Sequence, residues 1–301
     1  MPSPDPVTLL EALEPVLGPQ QGEPVALNGG ITNRNYRVVM GGADYVLRIC
    51  GKSTAVLGID RDAECEATMA AARLGVGPEV VVYRPDLEVL VTRWVEGRLA
   101  TAQEIRGEVE HVAAALRAVH GGPRLPVRFD SFALVFDYRD KVRERGGADP
   151  PAFQRAAAAA AQIQAALSGP DHVPVPCHND LLTTNFLLAG GAVRIVDWEY
   201  AGMGDRFFDL GNLAVNNGFA AADEERLIAA YFGEPSPRRL AALRLMRVMS
   251  DFREAMWGAV QDVVSDLDFD YRAYRDEHFE RLLAAIDHPA FERSLADATT
   301  T

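Results

Sequence analysis

The sequence predicts an α+β fold in two lobes, a small β-rich N-terminal lobe over residues 1–96 and a larger helical lobe over residues 97–301. Three observations carry this. Between Pro24 and Gly51 apolar and polar residues alternate between turn signals. Past Val95–Arg98 the spacing of apolar residues becomes helical. The helical half is then interrupted by two short strand-like segments, 175–188 and 191–202, that contain Asp and Asn.

Taken in order, VALNGGITNRNYRVVMGGADYVLRIC reads as an antiparallel meander with Gly-containing turns. Arg61 to Leu74 is helical, because Ala63, Ala67, Ala70 and Leu74 recur at helical spacing and Gly75 ends the run. Strands are expected near Glu79–Tyr83 and Glu88–Trp94, followed by a helix N-capped by Thr101 that runs to His120. Further helices are expected at the alanine run Ala156–Ala161, at Asp223–Phe232, from Ser236 to about Val264, and at Tyr271–Ile286. In the longest, Leu245, Met249, Phe252, Met256, Val260 and Val263 form a stripe, which marks it as a central helix.

Composition narrows the function. A hydrophobic fraction of 48% over 301 residues supports a sizeable core. The sequence lacks an apolar run long enough to span a membrane, and its first residues carry Pro and acids, so no membrane insertion is expected. Cys50, Cys65 and Cys177 are widely spaced and form no CxxC pair, which fits a reducing cytoplasm rather than a disulfide framework or zinc site. The net charge of −13 disfavours nucleic acid as a partner and favours a cationic one.

The chemistry is carried by HNDLLTTN and IVDWEY. Asp180 and Asn185 are five apart, and Asp197 follows on an apolar strand. Phosphoryl transfer from ATP needs one carboxylate to orient or deprotonate the acceptor hydroxyl. It also needs a carboxylate and an amide oxygen to hold Mg²⁺ on the phosphates. Asp180 suits the first role, Asn185 and Asp197 the second. His178 has no Ser or Cys partner and is assigned to bracing the loop, while His120 before Gly121-Gly122 reads as a helix C-cap. Upstream, NGGITNRNY, with Gly30, Thr32 and Asn33, suits either a phosphate-contacting loop or a plain hairpin turn. Arg48 lies where a cation meets ATP phosphates, and Glu64 on the next helix is placed to pair with it.

With these residues laid out, the chain resembles the choline/ethanolamine kinase branch of the aminoglycoside-phosphotransferase-like kinases. The likeness extends from LNGGITNRNYRV through RDAECEATMAAARLGVGPEV, HNDLLTTN and IVDWEYAGMGDRFFDLGN to WGAVQ and FDYRAY. It implies a two-lobed protein-kinase-like fold with ATP and Mg²⁺ as cofactors. In that fold Asp180 is the base, Asn185 and Asp197 the metal ligands, and Arg48 with Glu64 the phosphate cation and its partner. Main chain from Arg93 to Val95 would meet adenine, while Glu199 and Asp209 would form the acceptor side of the cleft. Choline kinases carry two tryptophans three residues apart on the C-terminal helix; here Glu254 stands at the first position and Trp257 at the second. The expected acceptor is therefore a small cationic amino alcohol, read by Glu254 and Trp257. Asp251, Glu254, Trp257 and Gln261 fall on one helix face, which either looks into the cleft or is the solvated side of an amphipathic helix. An antibiotic phosphotransferase and a nucleotide-binding pseudoenzyme are the alternatives.

Overall fold

The computed structural model describes residues 5–27, 32–51, 54–265, 267 and 269–299. It opens with helix α1 (Pro6–Leu17), capped by the Asp5 carboxylate. Strands β1 (Gln20–Leu27), β2 (Arg34–Met40) and β3 (Ala43–Ile49) follow as the expected meander. Helix α2 (Arg61–Arg73) comes next, its first amides bonded to the Asp60 side chain. Strands β4 (Val80–Arg84) and β5 (Val89–Arg93) complete a five-stranded antiparallel sheet of order β1-β2-β3-β5-β4.

The period-2 alternation of β3 decides what each face does. Tyr45, Leu47 and Ile49 turn to one side and are buried with Leu9, Leu10, Leu13 and Leu17 of α1. Burying each leucine contributes roughly 1.5–3 kcal/mol. Val46 and Arg48, one residue out of phase, line a cleft instead. Gly51, just past β3, approaches the chain entering β2 so closely that a Cβ there would lie 1.9 Å from the Thr32 carbonyl oxygen.

The helical part begins after the short strand β6 (Arg98–Leu99). Thr101 caps as expected, with a full capping box to Glu104. The helix that it starts is not continuous to His120: α3 (Ala102–Gly107) ends at a glycine, Glu108 leaves helical geometry, and α4 (Val109–His120) restarts. Helices α5 (Ser131–Glu144) and α6 (Phe153–Ala166), the latter containing the alanine run, precede strand β7 (Val175–Cys177). A hairpin of β8 (Phe186–Ala189) and β9 (Ala192–Ile195) follows, then β10 (Gly202–Gly204), which pairs back with β7. Helices α7 (Arg206–Asn216), α8 (Ala221–Phe232), α9 (Pro237–Val264), α10 (Tyr271–Asp287) and α11 (Ala290–Thr299) close the chain.

The fold is the two-lobed, protein-kinase-like α+β arrangement, β-sheet first and helices after. The larger core is not confined to the helical part, because Leu57, Ala67, Ala70, Ala71 and Val76 belong to it. At its centre runs α9, packed by α5, α7, α10 and α11. The predicted stripe is buried along it from Leu245 to Val260, with Val263 half-buried, and so are the polar residues Ser250, Asp251, Arg253, Glu254 and Gln261. The solvated-face alternative for this helix is thereby excluded.

Candidate active site

The segment between β7 and β8 turns sharply, with Asn179 in the left-handed region at φ 66°. Its amides cannot be satisfied by a regular ladder, and α7 satisfies them with side chains. One oxygen of Asp209 accepts from His178 N at 2.8 Å and the other from Asn179 N at 2.7 Å. Asn212 Oδ1 accepts from Leu181 N at 2.5 Å, and Asn217 Nδ2 donates to Leu181 O at 3.1 Å. Helix α7 can offer this polar row because Phe207, Phe208, Leu210 and Leu213 fill the core from its other sides.

His178 braces the loop as expected. Its Nδ1 accepts from Asp180 N, and the geometry then makes Nε2 the donor to Val196 O at 3.0 Å. Burial lowers its pKa and keeps the ring neutral. His120 is not a C-cap. Its buried ring spans Tyr231 Oη at 2.7 Å and Asp209 Oδ2 at 3.0 Å. Asp209 is likewise displaced from its expected place. It is fully buried behind the loop and holds backbone, so its carboxylate does not reach the acceptor side. His120, Cys177 and Asp209 cluster within 4.8 Å, but the imidazole and the carboxylate are already spent on these hydrogen bonds.

In front of this brace, Asp180, Asn185 and Asp197 come together. Asn185 Nδ2 donates to Asp180 O at 2.8 Å and lies 3.4 Å from Asp180 Oδ2, which leaves the amide oxygen for a cation. Asp197, at φ 68°, ends the β9 segment with a partly exposed carboxylate. An amide oxygen beside a carboxylate is a hard-oxygen donor pair that suits Mg²⁺. Arg48 NH1 reaches both Glu64 Oε1 at 2.5 Å and Asp197 Oδ1 at 2.7 Å, so the predicted Arg48–Glu64 pair forms and extends to Asp197. Burial, with Glu254, Asp197 and Glu199 nearby and Arg253 opposing, pushes the Asp180 carboxyl up to about 8. Burial and the Asp197 charge push Glu199 up to about 7.

Two cavities meet at Thr184, Asn185 and Asp197. One, of about 360 Å³, lies between the sheet and the β8–β9 hairpin, with Val46 and Leu90 on one wall and Leu187 and Val196 on the other. That is a slot for a flat aromatic base with its phosphates toward Arg48. Arg93 to Val95 line it, but Arg93 N and Trp94 N are already bonded to Glu79 O and Asp44 O. Of the three amides, Val95 alone is left for a base edge.

The second cavity, of about 50 Å³, contains Thr32, Asp180, Glu199, Glu254 and Trp257. Gly30 lies outside the described residues. Asn33 is not positioned for phosphate: its amide donates to Glu199 Oε2 at 2.8 Å and accepts from Arg61 NH2 at 2.9 Å and Gly51 N at 3.2 Å. Glu254 and Trp257 do face the cavity, whereas Asp251 of the same predicted face pairs with His278 and Arg281 elsewhere.

Sequence reasoning missed four residues here: Arg61, Tyr200, Arg253 and Tyr274. Arg61 NH1 ties Glu64 at 2.5 Å to Glu199 at 3.2 Å. Tyr200 Oη accepts from Trp257 Nε1 at 2.9 Å, and Tyr274 Oη donates to Glu254 Oε2 at 2.9 Å. A signal for Arg253 was available: it is a charge directly beside Phe252 of the apolar stripe on the longest helix.

Residues 24–244 match the phosphotransferase enzyme family. A solved choline/ethanolamine kinase family protein from Mesorhizobium loti is 34% identical, superposes with a TM-score of 0.80, and is covered over 93% of both chains. Ethanolamine kinase 2 of Rattus norvegicus is 27% identical over 90% of this chain and 78% of its own length. Protein LicA of Haemophilus influenzae is 28% identical over 64% of this chain, and the match spans only 58% of that protein.

Proposed function

This chain belongs to the phosphotransferase enzyme family, in its choline/ethanolamine kinase branch, and on that premise we propose that it transfers the γ-phosphoryl group of ATP to the hydroxyl of a small cationic amino alcohol. The observation that carries the reading is the meeting of a base-sized slot and a smaller acidic cavity at Asn185 and Asp197, with Asp180 on the acidic side.

In this reading the slot holds the nucleotide, with Arg48 directed at the phosphates and Glu64 fixing its direction. Asn185 and Asp197 hold Mg²⁺, which when bound supplies positive charge to the phosphate oxygens. Asp180 accepts the hydroxyl proton as the acceptor oxygen attacks in line. The raised carboxyl of Asp180 makes it a stronger base than an ordinary carboxylate once ionised. Work in the cytoplasm, where ATP is supplied, agrees with three buried free cysteines.

The acceptor is read from charge and size. The small cavity is lined by four acidic side chains, Asp180, Asp197, Glu199 and Glu254, against the single guanidinium of Arg253, and a bound cation would draw the raised carboxyls of Asp180 and Glu199 into their ionised form. A cation is favoured there. Only Trp257 of the two cage rings is present and the space is small, so a primary ammonium fits better than a quaternary one, which gains more from rings.

The test is ADP release over a graded series from ethanolamine to choline, with and without Mg²⁺. Turnover is expected to require Mg²⁺ and to give ethanolamine a higher kcat/KM than choline. If no amine stimulates ADP release, the reading is overturned; if choline is preferred, the head-group assignment is.

A further inference from the structure

Arg253 is among the largest fully buried side chains of the described residues, and the expected role of Glu254 does not account for it. Its NH1 lies 3.2 Å from Asp180 Oδ1 and also donates to Glu254 Oε1. The guanidinium lies over the Tyr200 ring, 4.2 Å from its centroid. Nε and NH2 have no hydrogen-bond partner among the described residues.

A guanidinium buried for stability spreads its five donors over acceptors, since each buried donor left unpaired is destabilising. This one leaves two nitrogens unserved and directs the third at the carboxylate beside the reacting hydroxyl. Such a placement costs stability and is retained where it serves a site. Both oxygens of Glu254 already accept from the protein, Oε1 from Arg253 and Oε2 from Tyr274. The chain of contacts is therefore Tyr274 to Glu254 to Arg253 to Asp180.

We propose that Arg253 is a positioning residue for phosphoryl transfer: it fixes Oδ1 of Asp180 so that Oδ2 is presented to the acceptor hydroxyl, and Glu254 acts through Arg253 rather than on the acceptor's ammonium. Asn185 Nδ2, 3.4 Å from Oδ2, is too distant to hold that oxygen firmly, which leaves it available for the proton. Tyr200 beneath the guanidinium and Tyr274 behind Glu254 keep the arginine from swinging into the cavity. The inference rests on Asp180 being the base, and the variants below separate the two.

Arg253→Met, Arg253→Lys, Glu254→Gln and the Arg253→Met/Glu254→Gln double variant are compared with Asp180→Asn. The assay is ADP release with the fastest amine of the series, and folding is monitored by thermal melting. Arg253→Met is expected to lower kcat about 10²-fold while changing the KM for ATP less than about threefold, the pattern of a lost transition-state interaction. Arg253→Lys recovers part of the rate, since a point charge still reaches Oδ1. Glu254→Gln lowers kcat for every amine by a similar factor and leaves their ranking in place. The double variant, in which the buried charges are removed together, is no slower than Arg253→Met alone, because the two residues act as one unit.

Should Asp180→Asn retain near wild-type turnover, the assignment of the base fails. A slow Asp180→Asn alongside Arg253→Met or the double variant at near wild-type kcat refutes the positioning role alone. A Glu254→Gln that re-ranks the amines shows that Glu254 meets the head group directly, and the proposal is wrong. If Arg253→Met does not fold, Arg253→Lys and the double variant decide by the same criteria.

Discussion

Asp209→Asn tests the brace behind the catalytic loop. In the wild type the carboxylate accepts two loop amides, His178 N at 2.8 Å and Asn179 N at 2.7 Å, and also meets the His120 ring at 3.0 Å. Asparagine has one acceptor oxygen. If that oxygen keeps Asn179 N, the new NH₂ group faces His178 N, donor against donor. A hydrogen bond to a charged group contributes about 1.5–3 kcal/mol, and a buried donor left unpaired costs a further ~1–3 kcal/mol. The site is fully buried, so neither figure is discounted for solvent. The expected destabilisation is about 3–5 kcal/mol. In a domain of this size that corresponds to a fall in Tm of roughly 6–20 °C at about 2–4 °C per kcal/mol. Thermal melting followed by circular dichroism measures the first effect. Steady-state ADP release measures the second, a fall in kcat of at least about tenfold as the loop that carries Asp180 loosens. A variant that melts with the wild type and shows only a raised KM for the amine would refute this reasoning and restore Asp209 to the acceptor side.

Three other outcomes follow from the site. Asp197→Ala and Asn185→Ala are expected to raise the Mg²⁺ midpoint of activity at fixed ATP by about tenfold or more, and an unchanged titration for Asp197→Ala would remove the metal assignment. Arg48→Ala is expected to raise the KM for ATP about tenfold, with Arg48→Lys recovering part of the loss; steady-state kinetics over ATP concentration decide it. Asp180 and Glu199 have folded pKa values raised to about 8 and about 7, so each binds its proton more tightly in the folded state. Their contribution to stability is complete below about pH 4, the unfolded carboxylate value, and is lost as pH rises through about 7 to 8. Nucleotide-free protein should therefore melt at a higher temperature at about pH 6 than at about pH 8.5, and Asp180→Asn should flatten that difference.

The legible parts of the sequence were those in which the signal is local. Alternation in VALNGGITNRNYRVVMGGADYVLRIC depends on neighbouring residues and a pleat of period two, so the meander of β1, β2 and β3 could be read without a partner. The same holds for Thr101, whose capping box needs only Glu104, and for the order Asp180, Asn185, Asp197, in which one turn and one hairpin bring the three together. Helix α7, which carries the loop's anchors, was not separated from its surroundings by sequence reasoning, because its polar row answers backbone about thirty residues upstream rather than its own neighbours.

Charge was the least legible property. Arg253 was not singled out, and Asp251, Glu254, Trp257 and Gln261 read as one face, either in the cleft or solvated, because periodicity assigns one side of a helix to the core and the other to water. Helix α9 has no watery side along this stretch, since α5, α7, α10 and α11 enclose it. By itself the sequence determined the strands of the sheet, helices α2, α6, α8, α9 and α10, and the order of the transfer residues. Only the tertiary structure decided that Asp209 stands behind the loop, that Asn33 is committed to Glu199 and Arg61, and that Arg253 is buried against the base. Each of those places is set by contacts between segments remote in sequence, and burial there turns an ordinary charge into one that must be paired.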